Sequence, residues 1–225
     1  MLQRILEPEV MDTELDAREY DEMDFVESNT RFADDALALL GRGGGEVLDA
    51  GTGTGQIATL LCEHSTRVRV TALDLAHHML GIGEAKVRGR PYADRIEWVH
   101  GDTKKLPFAA ARFDMVVANS THHHIPEPLK ATRELMRVLR PRGAILFRDL
   151  MRPATMDDAW TIVRTVAAGD SSRQQQLFFD SLCAALTLDE VRAMTKAAGL
   201  IDVVVRTSSD RHWSLERQAR PLPRP

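Results

Sequence analysis

The stretch Glu46-Val-Leu-Asp-Ala-Gly-Thr-Gly-Thr-Gly55 decides the fold of this chain, because it is a short apolar run that ends in a turn with three glycines. The residues after it, 56–64, carry apolar side chains at the i, i+3 and i+4 spacing of a helix. Glycine has no Cβ atom, so backbone N–H groups in such a turn can approach a ligand closely. A strand, a glycine turn and a helix N-terminus in this order predict a site for a nucleotide-like cofactor.

Downstream of this stretch, apolar strands alternate with helices along the chain. Further strands are predicted over residues 68–74, 96–100, 113–119, 144–149, 201–206 and 211–216, and intervening helices over residues 76–88 and 127–139. Strands that alternate with helices of this length indicate βαβ units and a parallel sheet. The predicted fold class is therefore α/β: a Rossmann-like sheet of seven mostly parallel strands with helices on both faces.

The remaining segments set the expected domain organisation. Residues 1–40 precede the sheet with helical spacing and are predicted to form an N-terminal helical lid. Residues 41–216 form a single domain, in which residues 151–186 are an insert after the fifth strand. The insert contains one helix that starts near Thr155 and then a polar run. The tail, residues 217–225, is rich in Pro and Arg and is predicted to be disordered.

Composition narrows the possible partners and the compartment. The formal net charge of −4 provides no basic field, which disfavours nucleic acid as a substrate. The two cysteines, Cys62 and Cys183, do not form a disulfide framework or a CxxC motif. Neither a signal-peptide core nor an 18-residue apolar run occurs, so we expect a cytoplasmic protein without a membrane span.

The residues around the glycine turn discriminate between cofactors. A dinucleotide site requires G-x-G-x-x-G, whereas here Gly51, Gly53 and Gly55 form G-x-G-x-G. Asp49 lies just before the turn, where it would face the pyrophosphate of a dinucleotide. A carboxylate at that position suits a ligand with a cationic amine. An amino-acid-bearing nucleoside is therefore favoured over NAD.

With these residues the chain resembles the class I S-adenosylmethionine-dependent methyltransferases. The resemblance covers residues 46–150. The motifs at residues 101–108 and 122–126 are similar to those of the branch that includes the ubiquinone, menaquinone and other small-molecule methyltransferases. The resemblance rests on the motifs Val47-Leu-Asp-Ala-Gly-Thr-Gly-Thr-Gly55, Ala72-Leu-Asp-Leu75, Gly101-Asp-Thr-Lys-Lys-Leu-Pro-Phe108, Phe113-Asp-Met-Val-Val-Ala-Asn119, His122-His-His-Ile-Pro126 and Leu139-Arg-Pro-Arg-Gly143.

The resemblance implies S-adenosylmethionine as the cofactor and assigns its contacts. The methionyl portion would contact Asp49, at its amine, and Asn119, and the turn residues Gly51, Thr52, Gly53 and Gly55 would lie beside the methionyl and ribose portions. Asp74 would bind both ribose hydroxyls. The adenine would lie between Leu75 and Met79, with Asp102 and Thr103 at its edge. Structural alternatives exist for several of them. Asp74 could cap the next helix, Asp102 could be a turn acid, and Met79 could be a core residue.

The acceptor side is predicted from the sheet topology, because open α/β sheets bind ligands at the carboxyl ends of their strands. The candidate catalytic residues are His122 and His123 after the fourth strand and Asp149 after the fifth. A base is needed only if the acceptor loses a proton. The alternative for Asp149 is an ion pair with Arg152. No metal is expected, because successive histidines on a loop should diverge.

Segments outside the regular alternation are predicted to line the site. We expect lid contacts from Tyr20 and Met23 and acceptor contacts from Phe178 and Phe179, and the cluster around Trp213 is a third candidate that is more typical of a core.

The sequence thus predicts methyl transfer from S-adenosylmethionine to a small-molecule acceptor by in-line displacement. The expected partners are that acceptor and at most a second copy of the chain in a homodimer. The alternatives are an NAD-dependent oxidoreductase on a Rossmann fold and a non-catalytic, S-adenosylmethionine-binding regulatory protein.

Overall fold

A seven-stranded sheet forms the centre of the molecule in a computed structural model that describes residues 2–9 and 12–220. The strands are β1 (Gly45–Ala50), β2 (Val68–Asp74), β3 (Ile96–His100), β4 (Phe113–Asn119), β5 (Leu139–Leu150), β6 (Val204–Thr207) and β7 (His212–Arg217). Their order across the sheet is β3-β2-β1-β4-β5-β7-β6. The first five strands pair in parallel, and β7 pairs antiparallel with both β5 and β6. The predicted α/β sheet is confirmed.

Helices cover both faces of the sheet. They are α1 (Glu14–Asp21), α2 (Val26–Leu40), α3 (Gln56–His64), α4 (His77–Val87), α5 (Pro128–Val138), α6 (Met156–Val166), α7 (Ser172–Ala184) and α8 (Leu188–Ala197). One buried cluster joins α2 and α3 to the sheet, and a second joins α5 and α8 to the opposite face. β4 is apolar along most of its length because both of its faces are covered.

The insert and the C-terminal strands differ from their predicted boundaries. The polar run from Ser171 is not a loop: it begins α7, because the Ser171 hydroxyl and the Gln174 side chain form a reciprocal capping box. β6 begins at Val204, three residues later than predicted. Arg217 ends β7, and the Ala219 amide bonds to the Leu39 carbonyl, so the predicted disorder does not extend to residues 217–220. The rest of that prediction, residues 221–225, lies outside the described residues.

The N-terminal region contains two different structures rather than one helical unit. Residues 2–9, here called the strap, have no regular secondary structure and lie across the ends of β4 and β5. α1 packs on α4, whereas α2 belongs to the helical layer of the sheet, with Phe32, Ala33 and Ala36 fully buried. Residues 1, 10 and 11 of the predicted lid lie outside the described residues.

Within the described part of the chain, every helix is too short or too polar to cross a membrane.

Candidate functional site

The three glycines of the turn after β1 have different surroundings. Each has a positive φ, between 56° and 76°. A Cβ atom on Gly51 would lie 2.4 Å from the Thr121 side chain, and one on Gly55 would lie 2.2 Å from the Trp98 ring. A Cβ on Gly53 would meet only the Tyr20 ring, at 3.5 Å. Gly51 and Gly55 are therefore needed for packing, and Gly53 leaves the inner face of the turn open to a ligand.

Asp49 lies beneath this turn at the carboxyl end of β1. Its side chain is buried and accepts a hydrogen bond of 2.6 Å from the Thr52 hydroxyl. Burial raises the pKa of Asp49 to about 7, and the neighbouring Asp74 carboxylate adds to the increase, while the bond from Thr52 opposes it. A carboxyl group held in this way gains from a cation placed beside it.

Asp74 ends the neighbouring strand, β2, at the same edge of the sheet as Asp49. Its two carboxylate oxygens accept the Gly53 amide at 2.7 Å and the Ala76 amide at 2.8 Å. The N-cap of α4 is Ala76, so Asp74 does not cap this helix, although one of its oxygens binds the amide of that N-cap residue. Each oxygen keeps a further lone pair, so a hydroxyl group could still bind. Burial raises the pKa of Asp74 despite these backbone bonds.

The other cofactor candidates surround the two carboxylates. Met79 is buried against Ala17 of α1, while Leu75 and Thr103 are half-buried. Asp102 accepts the Lys104 amide at 2.8 Å and pairs with its ammonium group at 3.0 Å, which holds the pKa of Asp102 below its usual range despite partial burial.

Asn119 completes the set on the β4 side. Its amide donates to Asn29 of α2 at 3.3 Å, so α2 helps to orient this side chain. Asp49, Asp74 and Asn119 thus lie at the carboxyl ends of β1, β2 and β4, along one edge of the parallel sheet that is here called the crevice.

The three histidines after β4 occupy different environments. His122 packs between Phe147 and Trp213 with 1% of its surface exposed, and burial lowers the pKa of His122 to about 4. It is a neutral core residue, so the structure does not support the prediction that His122 is catalytic. Trp213 is fully buried beside it, as the core alternative for that cluster predicted.

His123 forms a buried ion pair with Asp149. The His123 Nδ1 atom lies 2.5 Å from Asp149 Oδ1, and the His123 amide donates to Asp149 Oδ2 at 3.1 Å. Burial disfavours charge on both groups, but their mutual attraction raises the pKa of His123 and lowers that of Asp149 to about 2. The predicted alternative for Asp149 is wrong, because Arg152 instead pairs with Glu190 at 2.6 Å.

Glu7 of the strap is the site residue that the sequence did not indicate. Its carboxylate lies 2.9 Å from His124 Nδ1 and 3.6 Å from His123 Nε2, and it accepts a hydrogen bond from Ser181 of α7. The expected divergence of the histidines is therefore wrong at this pair, because the two rings face Glu7 with their centroids 4.0 Å apart. Polar residues in an unpatterned N-terminal segment carry no sequence signal for such a role.

These three residues also offer one ligand atom each, all within 4.8 Å of one another, which is the only such group among the described residues. A tetrahedral zinc ion would hold two coordinated imidazole centroids about 5 Å apart. The observed separation is shorter, and the contact between Glu7 and His124 has the length of a hydrogen bond. The cluster fits a hydrogen-bonded arrangement better than a metal site.

The predicted acceptor contacts, Phe178 and Phe179, belong to the core, whereas the predicted lid contact Tyr20 lies at the glycine turn. Phe179 stacks on Trp160 with centroids 4.4 Å apart inside the α6–α7 cluster, and Phe178 packs on its edge. Tyr20 of α1 lies against Gly53, and burial raises the pKa of its phenol to about 12 with help from the Asp74 and Asp49 charges.

Comparisons with known proteins show which family the central part of the chain resembles. A family model described as a methyltransferase domain matches residues 48–147. The ubiquinone/menaquinone biosynthesis C-methyltransferase of Roseobacter denitrificans is 34% identical over 119 residues, which are 52% of this chain and 48% of that protein. The 27-O-demethylrifamycin SV methyltransferase of Amycolatopsis mediterranei is 29% identical over 178 residues, which are 77% and 61% of the two chains.

Among solved structures, a putative S-adenosylmethionine-dependent methyltransferase from Methanococcus maripaludis superposes with a TM-score of 0.72 at 17% identity, over 97% of this chain and 99% of that one. This likeness shows the fold. The alignments with the first curated relatives span from about two-fifths to three-fifths of the length of those proteins.

The matched region and the fold agree on one class: residues 48–147 are similar to a methyltransferase domain, and the fold is shared with an S-adenosylmethionine-dependent methyltransferase of known structure. Within that class, its matched region is similar to the ubiquinone and menaquinone C-methyltransferase branch, which confirms the predicted resemblance. An NAD-dependent oxidoreductase is not favoured.

Proposed function

We propose that this protein transfers a methyl group from S-adenosylmethionine to a small-molecule acceptor that loses a proton, as a hydroxyl group or a carbon acid does. The observation that carries the proposal is the turn after Asp49, in which the Gly53 amide donates to the Asp74 carboxylate and the Cβ position of Gly53 meets only the Tyr20 ring, at 3.5 Å. At that place an amino-acid-bearing nucleoside finds a partner for its amine, a close backbone approach and an acceptor for its hydroxyls.

The chemical character of these side chains fits this cofactor. Asp49, buried with a pKa near 7, would regain its charge beside a cationic amine. Asp74 keeps a lone pair on each oxygen for the ribose hydroxyls, and Leu75 and Met79 offer apolar surface for the adenine. When bound, the cofactor supplies an electrophilic methyl group on a sulfonium, and the chain has to align the acceptor with it in a dry crevice.

The acceptor class is supported by the groups at the ends of β4 and β5. His124 follows β4 at the carboxyl edge of the sheet, where its partly exposed ring can accept a proton from a substrate, while His123 and Asp149 form the buried ion pair behind it. Relatives named for demethylmenaquinone and for 27-O-demethylrifamycin SV act on small molecules, in the second case at an oxygen atom. The net charge of −4 supports a small-molecule acceptor over nucleic acid.

Two measurements test this function. Calorimetry with S-adenosylmethionine, S-adenosylhomocysteine and NAD should show binding of the two sulfur compounds alone; binding of NAD alone would contradict the proposal. A labelled-methyl assay against a metabolite extract should then show transfer to a small molecule. Binding without any transfer would favour the regulatory alternative.

A further inference from the structure

We propose that Glu7 of the strap is a positioning residue for proton removal, because it selects the tautomer of His124 that leaves its Nε2 atom free as the base. This inference rests on the proposed function and adds one residue and one moving part to it. Its geometry consists of the 2.9 Å contact from Glu7 to His124 Nδ1 and the burial of the Glu7 side chain, which is 9% exposed.

The choice of His124 follows from how the ring nitrogens of the histidines are used. His122 is buried in the core, and both nitrogens of His123 face carboxylates, Nδ1 toward Asp149 and Nε2 toward Glu7. His124 meets Glu7 through Nδ1 only, and its Nε2 makes no hydrogen bond to any residue that the structure describes. Its side chain is 30% exposed, so a substrate can reach it.

The state of Glu7 supports this arrangement. Burial disfavours the carboxylate, but the hydrogen bond from His124 and the charges of His124 and His123 hold the pKa of Glu7 below its usual value. An ionised Glu7 is an acceptor only, so the neutral His124 ring must carry its proton on Nδ1. The same tautomer logic holds a catalytic histidine beside an aspartate in hydrolases.

The strap delivers Glu7 and also holds the loop that carries the histidines. The Arg4 guanidinium donates to the His122, His123 and Ile125 carbonyls at 3.0 to 3.3 Å, and to the Ala184 carbonyl at 2.6 Å. The strap therefore assembles the base when it docks. If the strap lifts, His124 loses both its carboxylate partner and the support of its loop.

The charged groups around this pair are identified from every element that packs on it. Asp149 of β5 and the imidazolium of His123 lie behind Glu7, the Arg4 guanidinium lies on the strap, and the Asp74 carboxylate of β2 acts on His124 from the crevice. Among the residues that the structure describes, Glu7 alone contacts a ring nitrogen of His124. Replacing Glu7 should therefore change the tautomer without removing the other charges.

The test is nitrogen NMR on protein labelled with 15N-histidine, comparing wild type with Glu7→Gln and with Glu9→Gln. Glu9 is a matched control, because it is a strap carboxylate that pairs with Lys104 instead of a histidine. In wild type and Glu9→Gln, neutral His124 should show a protonated Nδ1 and an unprotonated Nε2. In Glu7→Gln the two tautomers should mix, since the glutamine amide can either accept or donate.

A kinetic readout separates positioning from folding. With an acceptor found in the labelled-methyl assay, Glu7→Gln should lower kcat by about 10- to 100-fold, the range of a misplaced base, and leave the KM for S-adenosylmethionine unchanged. An unchanged His124 tautomer in Glu7→Gln, or an equal change in Glu9→Gln, would overturn the inference. So would stoichiometric zinc whose removal by chelation restores imidazole titration. Failure to bind S-adenosylhomocysteine would instead overturn the proposed function, and the tautomer result does not depend on it.

Discussion

At the scale of single residues, the glycine turn separates packing from ligand approach. Gly51 and Gly55 are needed because a Cβ would collide with Thr121 or Trp98, whereas a Cβ on Gly53 would meet only the Tyr20 ring, at 3.5 Å. The sequence pattern treats the three positions alike. Only the structure distinguishes the glycine that faces the proposed cofactor from the two that support it.

Gly53→Ala should therefore fold but bind the cofactor poorly. The φ of 56° makes the substitution cost about 1–2 kcal/mol of folding free energy. The added methyl group stands where backbone and ligand meet, so we expect the affinity for S-adenosylhomocysteine to fall about tenfold or more. Calorimetry and urea unfolding measure the two effects.

Gly89→Ala is the matched control for that substitution. Its φ is 78°, and nothing lies within 4 Å of the added Cβ. It should lose similar stability and retain full affinity. Equal affinities for the two variants would show that Gly53 does not face the ligand.

Asp49 should make cofactor binding dependent on pH. With its pKa near 7 in the free protein, Asp49 is partly protonated at neutral pH. A cationic amine favours the ionised form, so binding releases a proton, and affinity should fall up to about tenfold for each pH unit below 7. Calorimetry with S-adenosylhomocysteine in two buffers of different ionisation enthalpy measures the released proton. Asp49→Asn should bind weakly with a flat pH profile, and a flat profile in wild type would contradict this role.

At the scale of elements, regular patterns were predictable and tertiary attachments were not. The strands from β1 to β4 lie within one residue of their predicted bounds, because buried parallel strands are apolar runs that end at turn residues. The polar run at the start of α7 has no apolar periodicity and so predicts no helix, whereas the capping box of Ser171 and Gln174 forms in the structure. The strap has no periodicity at all, since it is held by Arg4 and by the Leu2 amide bond to Ala154.

α1 should become more ordered when the cofactor binds. Tyr20 on this helix lies against Gly53, and Ala17 packs on Met79, so α1 covers the proposed crevice. Few buried contacts hold it, which is typical of segments that open locally. We expect amide hydrogen exchange in Glu14–Asp21 to slow at saturating S-adenosylhomocysteine. α8, on the opposite face, is the internal reference, and equal slowing there would argue against a lid role for α1.

At the scale of the whole molecule, the buried pair of His123 and Asp149 ties the pH dependence of stability to the site. The pKa of Asp149 falls from 3.8 to about 2 on folding, so its stabilisation is present above pH 4 and is lost as the pH falls toward 2. The pKa of His123 is raised above 6.5, so its contribution is present below pH 6.5 and is lost as the pH rises through the higher value.

Asp149→Asn should therefore lower the free energy of unfolding most between pH 4 and 6.5, by about 3–5 kcal/mol, because it leaves a buried imidazolium without its partner. The difference from wild type should narrow toward pH 2. Urea unfolding at three pH values measures it. Asp189→Asn, which removes an exposed pair with Arg192, should change stability by less than about 0.5 kcal/mol. A loss of the same size at every pH would contradict the assigned ionisation states.

In the site, as in the fold, the features set by regular patterns could be predicted and those set by tertiary contacts could not. Asp49, Asp74 and the glycine turn could be placed because the ends of adjacent parallel strands share one edge. The separate roles of His122, His123 and His124 could not, because they depend on which ring meets the core, which meets Asp149 and which meets Glu7. Three consecutive histidines are identical in sequence, so the sequence alone does not show which one is buried and which one is exposed.

The strap also has a consequence for the order of folding. Its hydrogen bonds join Arg4 to Ala184, 180 positions further along the chain, and Arg152 to Leu2 across 150 positions. Contacts this distant in sequence form slowly, because the loop must close before they contribute. During synthesis the strap is made before the residues on which it docks. We therefore expect the crevice to exist, open to its ligand, before the segment that closes it has anything to dock on.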